Sequence, residues 1–200
     1  MTTYLEYVDY PTLPDNLSLS SEDILALPNF VYAGEAEKLR PEYAKKHYFI
    51  KRVSPELKEW LINTFPFEIT AYYMIFGQLM KPHTDFRKIT YNYIIDDGGD
   101  DIYTQSYNRE FVEGDMAGWG KLRKDAGLES DWNQTEPIIA LTSEQAKLKS
   151  WMKLQTTVPH GTVGNLTRPR IILSVIPKED IPIPKNSGLA ETILHWRDSW

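Results

Sequence analysis

The chain contains no cysteine. A disulfide framework, a thiolate zinc site, an iron–sulfur cluster and a cysteine nucleophile are therefore excluded. Histidine is also scarce: His47, His83, His160 and His195 are the only four among 200 residues. Any metal site must draw on those four and on carboxylates. Basic residues are in deficit, 22 against 28 acidic, for a net charge of −6. That balance argues against a sequence-independent grip on nucleic acid, which needs a basic surface. No apolar run reaches the length needed to span a bilayer. Met1 to Tyr10 has no basic residue and no long apolar run, so it does not read as a signal peptide. The expectation is a soluble, intracellular, cytoplasmic protein with no membrane partner. Internal repeats and low-complexity tracts are absent too.

What is present is ordinary globular composition, 42% hydrophobic and 25% charged. The 13 prolines and 11 glycines are spread along the chain and cut it into short segments, which favours a β-rich domain. One domain over residues 1–200 is expected, with a core at about 67–177, a mainly helical part at 1–66 and a tail at 178–200. Tyr4 to Tyr10 reads as a short strand before a turn. Ser20 and Ser54 are placed as helix caps, the second followed by Pro55 at the first helical position. Leu57, Trp60 and Leu61 then share one helical face. From Phe67 the period changes: Phe67–Leu79, Ile89–Ile95 and Ile171–Ile176 read as strands, and 148–157 leans to strand. Gly98-Gly99 between acidic pairs is turn chemistry. Residues 104–136 read as a long loop or lid, and Leu189, Ile193 and Trp196 as a short closing helix.

His83-Thr84-Asp85 places an imidazole and a carboxylate at i and i+2, on one face if the segment is extended. His160 offers a second imidazole, and Arg170 stands ten residues further on, at the start of a strand. Two His and one carboxylate make the facial triad of non-haem Fe(II) oxygenases, which leaves coordination positions open. A 2-oxo acid can fill two of them and O₂ the third. The distal carboxylate of such a co-substrate needs a cation, for which Arg supplies a planar fork.

From Tyr73 to Ser174 the chain resembles the 2-oxoglutarate/Fe(II)-dependent dioxygenases, and among them the prolyl-4-hydroxylase-like branch. His83-Thr84-Asp85 matches the HxD motif. Arg87-Lys88-Ile89-Thr90 and Tyr93-Ile94-Ile95-Asp96 look like the Arg-x-x-Thr strand and the hydrophobic run after it. Gly98-Gly99 looks like the turn into the next strand. Val158 to Val163 resembles the segment around the distal His, and Arg170 with Ser174 resembles the carboxylate-binding pair. The resemblance implies a mainly β fold, the double-stranded β-helix or cupin-like jelly roll, with a few flanking helices. It implies His83, Asp85 and His160 as iron ligands, Arg170, Tyr73 and Ser174 as 2-oxoglutarate contacts, and hydroxylation of a C–H bond. The co-substrates would be 2-oxoglutarate and O₂. Substrates left open are a peptidyl residue such as proline, a free amino acid, a nucleobase or a small metabolite. Many prolyl hydroxylases carry Lys where Arg170 stands, so prolyl specificity is not supported there. Oligomeric state is not legible.

Blander readings stand beside these. Asn92 shares a strand face with Thr90 and Ile94 and either bonds the oxo acid or faces water. Arg168 competes with Arg170 for the anion. Tyr91 and Tyr93 read as packing, and His47 and His195 as surface residues. Lys121, Arg123 and Lys124 form a small basic cluster, while Trp119 and Trp132 are core anchors or a substrate platform. Two alternative functions remain: a non-catalytic jelly-roll module, or a cupin-like metalloenzyme that does not use 2-oxoglutarate.

Overall fold

The computed structural model describes residues 4–30, 48–80, 83, 85, 87–107, 140–181, 194 and 197–200. Apolar, aromatic and β-branched residues run unbroken through Ile69–Phe76, and every one but Phe76 is buried. A strand covered on both faces reads as such a continuous apolar run. It is β3 of nine strands among the described residues. The others are β1 (Leu5–Val8), β2 (Tyr48–Arg52), β4 (Ile89–Asp96), β5 (Gly99–Tyr107), β6 (Ala140–Gln145), β7 (Trp151–Gln155), β8 (His160–Leu166) and β9 (Arg170–Pro177).

Six strands form one sheet in the order β1-β7-β4-β9-β3-β2, and three form a second in the order β6-β5-β8. Every pairing is antiparallel. The chain crosses between the sheets after β4 and then at every step from β6 to β9, and the result is a double-stranded β-helix, or jelly roll. Cα partners place Tyr72, Met74 and Phe76 opposite Ser174, Ile172 and Arg170. Asn92 and Ile94 fall opposite the same Ser174 and Ile172. These residues line the face that looks across to the smaller sheet. The odd set (Tyr73, Ile75, Tyr93, Ile171, Leu173, Val175) lines the other face.

Two helices cover that other face. Helix α1 (Ser21–Ala26) starts at Ser20, whose side chain accepts from the Asp23 amide. Helix α2 (Pro55–Thr64) starts at Ser54, which accepts from the Leu57 amide, with Pro55 in the first turn. Ile24, Leu57 and Leu61 are buried in one cluster with Tyr73, Tyr93, Trp151, Leu173 and Val175. Each large apolar side chain buried there contributes roughly 1.5–3 kcal/mol. Among the described residues no helix is long and apolar enough to cross a membrane.

Both expected caps and the expected strands are present, and 148–157 resolves to strand β7. Strand β2 lies where none was expected, and with β1 it brings residues before 66 into the larger sheet. The expected loop begins too early: Thr104 to Tyr107 continue β5 and pair with β6, and all but Tyr107 also pair with β8. The rest of 104–136, with its tryptophans and basic cluster, lies outside the described residues. So do His47, His195 and the expected helix at 189–196, except Leu194, which is helical.

Candidate functional site

The site begins in a backbone pairing. His83 and His160 form an isolated antiparallel bridge at the edge of the smaller sheet. The His83 amide donates to the His160 carbonyl at 2.9 Å, and the His160 amide returns to His83 at 2.8 Å. Residues paired in this way project side chains to the same side, and the two rings stand 4.5 Å apart. The Asp85 amide donates to the Thr156 carbonyl at 3.1 Å, carrying the carboxylate to the same place. One ligand atom each from His83, Asp85 and His160 lies within 4.8 Å of the other two. Nε2 of His83 is 3.5 Å from Asp85 Oδ1, and Nε2 of His160 is 3.7 Å from Oδ2.

The donors are prepared for a cation. His160 Nδ1 lies 3.0 Å from the Val158 carbonyl. A carbonyl only accepts, so Nδ1 carries the proton and Nε2 keeps its lone pair for a metal. Burial alone would raise the Asp85 carboxyl. The Arg87 guanidinium, joined by the two histidines only when they are protonated, outweighs that and holds it well below the usual carboxylate range. Two imidazole nitrogens and a carboxylate oxygen are the donor set of a non-haem Fe(II) centre. The cluster fits that ion on chemistry and tautomer alike.

Arg170 opens β9 and points between the sheets, 6% exposed. Its Nη1 donates to Thr162 Oγ1 and its Nη2 to Thr104 Oγ1, each at 3.1 Å. Its Nε is buried with no partner. Among the described residues no carboxylate forms an ion pair with it. Burial pulls the guanidinium down to about 10. Thr162 is two residues after His160 on β8, about 7 Å along the strand. The unpaired cation therefore stands a short molecule's length from the His-Asp-His cluster.

Arg168 does not compete. Its side chain is 51% exposed and donates to Asp96 and Asp97 at 2.9 and 2.8 Å on the outer turn. Arg168 precedes Pro169 and lies outside β9, so it turns to the acidic pair on the surface, whereas Arg170 is the first residue of the strand and faces inward.

Ser174 and Asn92 share the face of Arg170 and sit opposite one another. Their polar atoms meet each other's neighbour rather than the guanidinium. Thr90 Oγ1 lies 2.7 Å from Ser174 Oγ and donates to Asn92 Oδ1 at 3.2 Å. Tyr73 requires a correction. It faces Leu173 across β3–β9, on the helix-covered side. Burial pushes its phenol up to about 12. The tyrosine on the interior face is Tyr72, whose hydroxyl lies 2.8 Å from Thr70 Oγ1. Spacing from His83 could not settle this, because one residue of register turns a side chain to the opposite face.

Three contributors escaped sequence reasoning. Thr104 opens the segment read as a loop, and Thr162 looks like an ordinary strand threonine although it stands at i+2 from His160 and shares its face. Arg87 was read as part of a strand motif, yet its Nη2 lies 2.7 Å from Asp85 Oδ2.

No known family's sequence pattern matches the chain. No curated protein matches it in sequence. Remote matches exist among solved structures. The non-haem alpha-ketoglutarate-dependent carbocyclase SnoK from nogalamycin biosynthesis is 10% identical, covering 84% of this chain and 86% of its own, at a TM-score of 0.41. Hydroxypropylphosphonic acid epoxidase from S. wedmorenis is 6% identical over 66% of this chain, at a TM-score of 0.35. Vicilin from Corylus avellana (hazelnut) is 8% identical over 66% of this chain, at a TM-score of 0.36. The chain spans 51% of the epoxidase and 30% of the vicilin. A carbocyclase, an epoxidase and a vicilin thus stand at comparable distance, and none of their chemistry transfers to this chain.

Proposed function

We propose that this protein is an Fe(II)- and 2-oxoglutarate-dependent dioxygenase that hydroxylates a C–H bond. The observation that carries the reading is Arg170: a buried, unpaired guanidinium held inside the barrel beside a His-Asp-His cluster. A buried cation without a counter-ion is costly, and a dicarboxylate reaching from the metal would supply the counter-ion. His83, Asp85 and His160 would hold the iron, and Arg170, with Thr104 and Thr162 fixing its fork, would bind the distal carboxylate of 2-oxoglutarate. Asn92 and Ser174 would line the interior further along. Iron supplies the activation of O₂ when bound. Overall, substrate C–H, 2-oxoglutarate and O₂ give substrate C–OH, succinate and CO₂. The protein's part is to hold the co-substrate in line, exclude water and keep His160 in its Nε2-ligand tautomer.

The resemblance seen in the sequence leans towards a protein or peptide residue as substrate, with nothing at Arg170 that favours proline in particular. Purified protein given Fe(II) and 2-oxoglutarate is expected to release succinate. Asp85→Ala is expected to lower that release by at least about a hundredfold, since it removes a metal ligand. Equal release from both proteins would sink the assignment.

A further inference from the structure

We infer that Arg87 is a positioning residue that keeps the Asp85 carboxylate a one-oxygen ligand. The inference rests on the metal reading above and goes beyond it in assigning a role to a residue outside the ligand set. The contact is made by one nitrogen: Nη2 lies 2.7 Å from Oδ2, in the range of a charge-assisted hydrogen bond. Nε of Arg87 is buried with no partner, so the guanidinium does not make the side-on fork through Nε and Nη2. Oδ2 carries the Arg87 contact and lies 3.7 Å from His160 Nε2, while Oδ1 faces His83. The side chains are 12% and 19% exposed, so water competes weakly for the pair.

The backbone fixes both partners from a single residue. The Thr156 carbonyl accepts from the Asp85 amide, and the Thr156 amide donates to the Lys88 carbonyl at 2.9 Å. Thr156 Oγ1 donates to the Arg87 carbonyl at 2.5 Å. Thr156 is itself fully buried. Arg87 therefore cannot drift from Asp85 without opening this junction. Swinging the carboxylate to chelate a metal through both oxygens would take Oδ2 from Arg87 and strand a largely buried cation. Chelation would also fill a coordination position that the oxo acid and O₂ need.

The test counts waters on bound Mn(II), using water-proton relaxation of the loaded full-length protein without co-substrate. Arg87→Met is expected to lose one bound water, a fall of about a third if three positions are open in the wild type. Arg87→Lys, which keeps a cationic donor, is expected to restore the wild-type count. A folded, Mn(II)-bound Arg87→Met protein with the wild-type count would overturn the inference. A second measurement needs no variant. In wild-type protein labelled with ¹³C-aspartate, the Mn(II)-induced infrared difference should show the widely separated carboxylate stretches of a one-oxygen ligand. Narrow separation would overturn the inference while leaving the metal centre standing. Failure of wild-type protein to take up Mn(II) at all would instead overturn the metal reading, and this inference with it.

Discussion

At the scale of single residues, neighbours in sequence have opposite fates here. Arg168 is tied to Asp96 and Asp97 on the surface, while Arg170 is buried with two threonine hydroxyls as its hydrogen-bond partners. Arg170→Met should thus separate stability from binding. Without ligand, the gain from removing an unpaired charge offsets the two orphaned hydroxyls, so stability should stay within about 1–2 kcal/mol of the wild type. With Mn(II) present, the thermal stabilisation produced by 2-oxoglutarate should disappear. Differential scanning calorimetry with and without the oxo acid reads both. Tyr73 gives a second residue-scale expectation. Its folded pKa of about 12 lies above its unfolded value. A group raised in this way contributes stability in full below the unfolded pKa, about 10, and loses it as pH climbs through 12. The difference amounts to roughly 3 kcal/mol. Urea titrations at alkaline pH should show that loss in the wild type and not in Tyr73→Phe. The same variant should keep wild-type affinity for 2-oxoglutarate, because the ring packs under the helices.

At the scale of elements, the turn between β4 and β5 positions the anion site. Gly98 has φ +87°, a left-handed conformation that suits glycine, and a Cβ there would lie 2.9 Å from Arg170 Cβ. A Cβ on Gly99 would lie 2.0 Å from the Asn165 carbonyl oxygen. That oxygen belongs to β8, paired with β5, so the clash can be relieved only by parting two strands. Gly99→Ala should cost at least about 2 kcal/mol, beyond the usual range for a surface substitution. Chemical denaturation would measure it, and a loss below about 0.5 kcal/mol would contradict the close approach. Elements were also where sequence reasoning succeeded most. Ser54-Pro55 marks a helix start by local chemistry, and β3, β4 and β9 announce themselves by composition. Facing was legible for Thr90, Asn92 and Ile94 because the strand is regular. It was not legible for Tyr73, whose distance from His83 crosses a segment without strand period. Strand β2 was missed because Lys51 and Arg52 interrupt its apolar pattern. Lys51 is nonetheless buried, with its ammonium on the Leu25 and Leu27 carbonyls at the end of α1.

At the scale of the molecule, two sheets and a helical layer divide the labour. The helix-covered face of the larger sheet carries the apolar core, and the face toward the smaller sheet carries the polar groups. That division explains why the His-x-Asp spacing was readable while Thr104 and Thr156 were not: both are brought in by non-local pairing, whereas Arg87, two residues from Asp85, was hidden inside a strand motif. It also sets the response to acid. The Asp85 carboxyl is held below its unfolded value in the fold. Its contribution is complete above about pH 3.9 and is lost as pH falls below that toward the folded value. Stability measured by urea titration from about pH 5 to pH 2 should fall more steeply for the wild type than for Asp85→Asn. A metal that requires the ionised carboxylate should steepen the wild-type slope further.

The reciprocal bonds between His83 and His160 have a topological meaning as well. Asp85 and His160 are 160 − 85 = 75 positions apart, and a cation joining them is a clip across a long loop. In a chain that had to gather its ligands, much of the binding energy would go into the entropy of closing that loop. Here two peptide hydrogen bonds close it beforehand. On the function proposed above, an incoming ion would meet a ring already drawn shut, and its affinity would be available for holding the co-substrate rather than for folding the chain.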